Sequence, residues 1–223
     1  MTAATVRMWP KPSEIRLRAI GRNRHTFGMS ETTVAVAIWD GVEELDVVGP
    51  YEVLTAWGTH ANGRSIRVHT VAERADEVRC AHGLRLLPDR TWDDVGEIDV
   101  LVLPGGNARP QTEDERVLGR VRELGEKGTL LTSVCTGALI LAAAGLLKGR
   151  PATTHWSALE SLGAHDGVEV RPDARFVDDG PVVTAAGVSA GIDMALHLVA
   201  RLDSPDRAKE VRRYIQYDPE PPV

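Results

Sequence analysis

Apolar residues recur along the chain with two periods. Residues 32–39 (TTVAVAIW) are β-branched and apolar, which predicts a short strand. Asp40-Gly41 predicts a turn, and Gly49-Pro50 opens a predicted helix through Tyr51, Val53, Leu54 and Trp57, with Pro50 in its first turn. Residues 65–72 (SIRVHTVA) alternate as a strand does, and 80–87 predict a small hairpin. Residues 98–103 (IDVLVL) are almost wholly apolar, the pattern of a parallel strand buried on both faces, and they end in Pro104-Gly105-Gly106. Residues 113–127 place Val117, Val121 and Leu124 on one helical face. Residues 129–134 (TLLTSV) predict a second buried strand. It runs into Cys135-Thr136-Gly137 and a helix through Leu146, closed by Gly145 and Gly149. A two-stranded excursion is predicted over 175–185, around Asp179-Gly180, and then helices over 190–201 and 205–214.

Strands that alternate with helices require right-handed crossovers. They predict an α/β three-layer sandwich, a mostly parallel central sheet flanked by helices. Ligands of such sheets sit beyond the carboxyl ends of the strands. Two loops at such ends stand out, 104–106 and 135–137.

Composition narrows the classes. The chain has 223 residues, 43% hydrophobic and 26% charged, which suits one globular domain. A net charge of -6 argues against a nucleic-acid partner, because phosphate contacts need a basic face. The longest apolar region, around 138–147, falls short of the roughly 20 residues a membrane span needs. Two cysteines, Cys80 and Cys135, make no disulfide framework, so a reducing cytoplasm is the expected compartment. Residues 1–28 carry Arg7, Lys11, Arg16, Arg18, Arg22 and Arg24 against Glu14 alone. They are expected to form a disordered basic extension, with translation starting at Met29 as a competing reading, and 29–223 to form the domain.

Cys135 is the first candidate for chemistry. A residue at a sharp strand-to-helix turn is exposed at the sheet edge, as nucleophile elbows are. The helix N-terminus favours thiolate over thiol, so a depressed thiol pKa is expected. Free N–H groups of that turn, including that of Thr136, can stabilise an anion. Gly137 leaves room for the turn, and the Gly105 and Gly106 backbone can face the same site. A buried, inert cysteine is the competing reading for Cys135, and the preferred one for Cys80. His155, in Thr153-Thr154-His155-Trp156, is of the type that orients or deprotonates a thiol, or is merely structural. Asp46 can carry a proton near a thiolate or cap a helix, and Glu43 and Glu44 compete with it. Trp39, Trp57, Trp92 and Trp156 are expected mostly in the core. HExxH, CxxC and GxGxxG do not occur, so no metal or dinucleotide is expected.

Taken together, GVEELDVVGPYEVL (41–54), DVLVLPGG (99–106) and TSVCTGALILAAAGLLKGRPATTHW (132–156) resemble the ThiJ/PfpI superfamily. VTAAGVSAGIDMALHLVARL (183–202) and IQYDPEPP (215–222) resemble it too. The resemblance implies a flavodoxin-like, class I glutamine amidotransferase-like fold. Within the superfamily the chain looks most like isonitrile hydratases, which convert R–N≡C to an N-substituted formamide. That likeness implies Cys135 as nucleophile, Asp46 as the acid handling proton and water, and Thr136 as support. It also implies an anion-stabilising pocket of the Gly106 and Thr136 amides, with His155 shaping the site. No cofactor, a small-molecule substrate and a homodimer are implied. A glutaminase is not expected, for want of a His-x-Glu pair, and the peptidase and glyoxalase branches usually carry Glu where Asp46 stands. An AraC-type regulator is less expected because the chain stops at Val223 without a helix-turn-helix. A redox or small-molecule sensor without turnover stays open, since it needs only an accessible thiol.

Overall fold

The computed structural model describes residues 31–60 and 65–219. The expected basic extension lies outside the described residues. In chain order the elements are β1 (Glu31–Ala37), α1 (Glu44–His60), β2 (Ser65–Ala72), β3 (Val78–Arg79), β4 (Arg85–Leu86), β5 (Arg90–Thr91) and β6 (Val100–Leu103). Next come α2 (Arg109–Glu113), α3 (Glu115–Lys127), β7 (Leu130–Val134), α4 (Gly137–Ala143), β8 (Pro151–Ala152), α5 (Leu159–Gly163) and β9 (Glu169–Val170). The chain continues through β10 (Phe176–Asp178), β11 (Val182–Ala185), α6 (Ala190–Leu202) and α7 (Pro205–Tyr214).

Seven strands form one sheet in the order β10-β11-β7-β6-β1-β2-β5. Every pairing is parallel except that of β10 with β11. Strands β6, β7 and β11 are buried throughout, as predicted for β6 and β7; β11, expected only as half of a two-stranded excursion with β10, also joins the central sheet parallel to β7. Side-chain alternation divides the core in two. Val34, Val36, Val100 and Val102 face a layer holding Leu54, Trp57, Met194, Leu198 and Val211. Ala35, Ala37, Leu101 and Leu103 face Leu118, Val121, Ile140, Leu141 and Leu147. The result is the expected three-layer sandwich, with α1, α6 and α7 on one face and α2 to α5 on the other.

Several boundaries differ from the sequence expectation. Helix α1 begins at Glu44 rather than at Pro50, which lies inside it. Acidic Glu44 and Asp46 suit a first turn, and an interior proline removes one hydrogen bond, here that to the Asp46 carbonyl. The helix expected over 113–127 is broken at Asp114, whose carboxylate accepts from the Arg116 N–H and starts α3. Leu118, Val121 and Gly125 form its buried face, with Val117 and Leu124 packed at the margin. Helix α4 ends at Ala143, short of Leu146. The hairpin β3–β4 starts two residues earlier and ends one residue earlier than expected. Elements of two to five residues (α2, α5, β5, β8, β9) carry too few positions for a period to show. Trp57 is in the core and Trp39 and Trp92 pack half-buried against it, as expected for most of the tryptophans, whereas Trp156 is 77% exposed.

Candidate active site

Strand β7 stops at Val134 and the next residue turns with φ 56 at Cys135, a left-handed conformation that L-residues seldom adopt. The turn is fixed from three sides. The Cys135 N–H donates to the Ala186 carbonyl at 2.9 Å. The Thr154 hydroxyl donates to the Cys135 carbonyl at 2.7 Å. The loop after β6 lies so close that only glycine fits twice. A Cβ on Gly137 would lie 2.0 Å from the Leu103 carbonyl oxygen, and one on Gly105 would lie 2.6 Å from both the Thr136 nitrogen and its hydroxyl. The two loops singled out in the sequence are therefore in direct contact.

Asp46 reaches this point from the first turns of α1, fully buried. The Gly105 N–H donates to its Oδ2 at 2.8 Å, while Oδ1 has no hydrogen-bond partner among the described residues. Burial pushes the Asp46 carboxyl up to about 7, and the charge of Glu43 adds to this. The Gly105 N–H and the Cys135 thiol act against the rise. Glu43 and Glu44 face elsewhere. Glu43 pairs with His82 at 3.3 Å. Glu44 accepts from the His82 N–H at 2.7 Å and the Leu84 N–H at 3.3 Å. Those donors hold Glu44 below its usual range despite burial. Of the three candidate acids, Asp46 alone is set against the sulfur.

The thiol differs from expectation. Burial, and after it the Asp46 charge, together raise Cys135 to about 11. The N–H groups of Thr136 and Val188 and the Thr136 hydroxyl favour the thiolate but are outweighed. A helix N-terminus lowers a thiol pKa when it is the strongest local field. Here burial of the sulfur, reinforced by a neighbouring carboxylate, is stronger. Between about 7 and about 11 the two groups together hold one proton, a property of the pair rather than of either residue. The Thr136 hydroxyl has one proton to donate, and the Gly106 carbonyl, 3.0 Å away, competes with the sulfur for it.

Gly106 bridges Val42 across the loop, and its amide is not among the donors acting on the sulfur. His155 is half-buried. Its Nδ1 lies 2.7 Å from the Ser157 hydroxyl, and its ring packs on Gly187, where an added Cβ would come within 2.2 Å of the imidazole. Among the described residues it makes no hydrogen bond to Cys135, so a base role on the thiol has no geometric support.

Sequence reasoning passed over Val188. It stands in the turn between β11 and α6, with φ 45. A β-branched residue there is strained, and its N–H serves the Cys135 sulfur. The available signal was a second strand-to-helix turn, AAGVSAG, on the strand beside β7.

Among the described residues one trio, Glu43, Glu44 and His82, brings three metal-ligating atoms within 4.8 Å of one another. The Glu44 carboxylate in it already serves two backbone donors. Among the described residues no helix is long and apolar enough to cross a membrane.

Comparison with known proteins fits this geometry. The DJ-1/PfpI family matches residues 32–201. An isonitrile hydratase of Pseudomonas putida is 38% identical over 85% of this chain and 80% of its own length. An HTH-type transcriptional regulator of Pseudomonas aeruginosa is 30% identical over 65% of this chain, which spans only 43% of the regulator. Among solved structures, a ThiJ/PfpI family protein from Pseudomonas syringae superposes with a TM-score of 0.79 at 33% identity, covering 87% of this chain and 78% of the other. DJ-1beta of Drosophila melanogaster shares the fold with a TM-score of 0.76 at 24% identity, covering 84% and 99%.

Proposed function

The chain belongs to the DJ-1/PfpI family, and from that premise we propose that it hydrates isonitriles to N-substituted formamides through a covalent intermediate on Cys135. The single observation that carries the reading is a buried pair, the Asp46 carboxyl with one oxygen unpartnered set against the Cys135 thiol. An isonitrile carbon needs a soft nucleophile and then a proton on the same carbon, and the pair offers both. With the proton on Asp46, the thiolate attacks the terminal carbon and an S–C bond forms. Asp46 passes its proton to that carbon, giving a neutral thioimidate, R–N=CH–S–Cys135. The carboxylate then takes a proton from water as the oxygen adds to the carbon, and that proton goes on to nitrogen. Collapse breaks the C–S bond and releases R–NH–CHO. The hydroxyl proton returns to Asp46, and the starting thiolate is restored. The donors on the sulfur reduce the cost of the thiolate before attack and after collapse. The Gly106 amide is reserved for charge that develops on the substrate, and His155 for shaping the rim.

The experiment is formamide formation from a simple aromatic isonitrile, followed by NMR. Cys135→Ala should lower turnover by roughly 10^4-fold or more. Asp46→Asn should lower it by about 10^2- to 10^4-fold. Turnover that survives Cys135→Ala would rule out the covalent route.

A second reading is favoured by one finding, the match to a transcriptional regulator over 65% of this chain. On it, the chain senses a small molecule or an oxidant at Cys135 without turnover. A parent protein inert to several isonitriles, but with a ligand-dependent rise in melting temperature, would select that reading.

A further inference from the structure

The turn that carries Val188 is gripped from outside by residues the reaction does not need. The Nε of Arg175 donates to Asp193 Oδ2 at 2.6 Å, and its terminal nitrogen donates to the Ser189 hydroxyl at 2.9 Å. The Arg175 carbonyl accepts from the Ala186 N–H at 3.0 Å, and the Ala186 carbonyl in turn accepts from the Cys135 N–H. Tyr217, from the segment after α7, lies close enough to Arg175 and Asp193 that both act on its hydroxyl. That segment is itself tied down. Arg212 donates to the Tyr217 carbonyl at 2.9 Å and pairs with Asp218 at 2.7 Å.

Ser189 shows what the grip does. It occupies the N-cap of α6, yet its hydroxyl makes no capping bond to the helix. A serine there ordinarily accepts from an N–H of the first turn. Here the oxygen accepts from Arg175 instead, so the orientation of the first turn of α6 is set by Arg175. Asp193, one turn further along the same helix, is the second anchor. Between the grip and the nucleophile stands Val188 at φ 45. A β-branched residue keeps such a conformation only where its surroundings over-determine it.

We infer that Arg175 is a positioning residue: by fixing Ser189 and Asp193 against the Tyr217 segment, it holds Val188 left-handed and keeps the Val188 N–H on the Cys135 sulfur. The inference rests on Cys135 being the reactive group. It does not rest on the identity of the substrate.

The test is the pH dependence of Cys135 alkylation by iodoacetamide on the full chain, with the modified residue located by peptide mass mapping. Losing one N–H donor to a thiolate should slow the reaction of Arg175→Met about tenfold at a given pH and displace its profile upward. Ser189→Ala, which removes only the hydroxyl anchor, should displace it in the same direction. Glycine at position 188 adopts the required φ without penalty. Arg175→Met should therefore cost much less in a Val188→Gly background. Profiles unchanged in both Arg175→Met and Ser189→Ala would overturn the inference, including the case where only the melting temperature falls. An equal loss with and without Val188→Gly would overturn the strain route. Alkylation that shifts as described in a protein inert to isonitriles would uphold the inference while removing the hydratase reading.

Discussion

Cys135 and Cys80 are both free and both nearly inaccessible, at 7% and 4% exposure. Burial raises the pKa of each, and each has carboxylates nearby that raise it further. Neither burial nor a raised thiol separates the reactive candidate from the inert one. Two other features do. Cys135 sits in a left-handed turn with two N–H groups and a hydroxyl acting on its sulfur. Cys80 sits in the β3–β4 hairpin, its N–H donating to the Leu84 carbonyl at 2.8 Å, and no donor acts on its sulfur. The acids differ as well. Asp46 is pushed up to about 7 and can give up its charge near neutral pH. The acid with the largest effect on Cys80 is Glu44, which backbone donors hold ionised. A thiol beside an acid that can become neutral has a route to thiolate without stacking two negative charges. A thiol beside a permanently charged acid has none.

The contrast can be broken or sharpened by experiment. The largest effect concerns Asp46 and stability. Its carboxyl titrates near 4 in the unfolded chain and about 7 in the folded one, so the native state binds the extra proton between those values. Stability should fall as pH rises from about 4 to about 7 and then level off, by up to about 4 kcal/mol. Asp46→Asn should lack that fall, and urea unfolding across the range would measure it. A parent and variant with parallel profiles would mean that Asp46 stays charged, and its difference from Glu44 would vanish.

Next in size is Gly105→Ala. The added methyl would press on the Thr136 nitrogen and hydroxyl at 2.6 Å and on the Cys135 Cβ at 2.8 Å. It should cost about 1–3 kcal/mol and slow alkylation of Cys135, because the elbow must move. Unfolding curves run beside alkylation rates would show whether the two losses travel together. The smallest effect should be that of Cys80→Ala. The loss of a small buried group from the hairpin should cost about 1 kcal/mol and leave the Cys135 alkylation profile unmoved. A displaced profile there would show that the hairpin and the elbow communicate, and would erase the distinction between the two thiols.

Much of this was legible in the chain itself. The wholly apolar run of β6 announces a parallel strand buried on both faces, and β7 follows it with small Thr132 and Ser133 between apolar ends, short enough to be buried as well. Cys135, followed at once by Thr136-Gly137, marks the elbow, since a strand that feeds directly into a helix needs a tight turn with room behind it. The choice of Asp46 over Glu43 and Glu44 rested on the likeness to isonitrile hydratases and was not legible in spacing or residue type. Three acids within four residues look alike until a helix starting at Glu44 turns one of them inward and leaves the other two facing the hairpin. The start of α1 was itself obscured by Pro50, which reads as a beginning but lies in the interior.

The sequence by itself determined the layers, the strand-to-helix elbow and the residue types gathered there, because periodicity and turn chemistry are local properties. Only the tertiary structure decided the electrostatics. Whether a helix N-terminus lowers a thiol pKa depends on how deeply the sulfur is buried and on what else shares its pocket, and here burial, with a carboxyl from α1, far away in sequence, outweighs it. The donation from Val188 was beyond the sequence for the same reason. A backbone N–H has no side-chain signature, and it reaches the sulfur only because β11 lies beside β7 in the sheet.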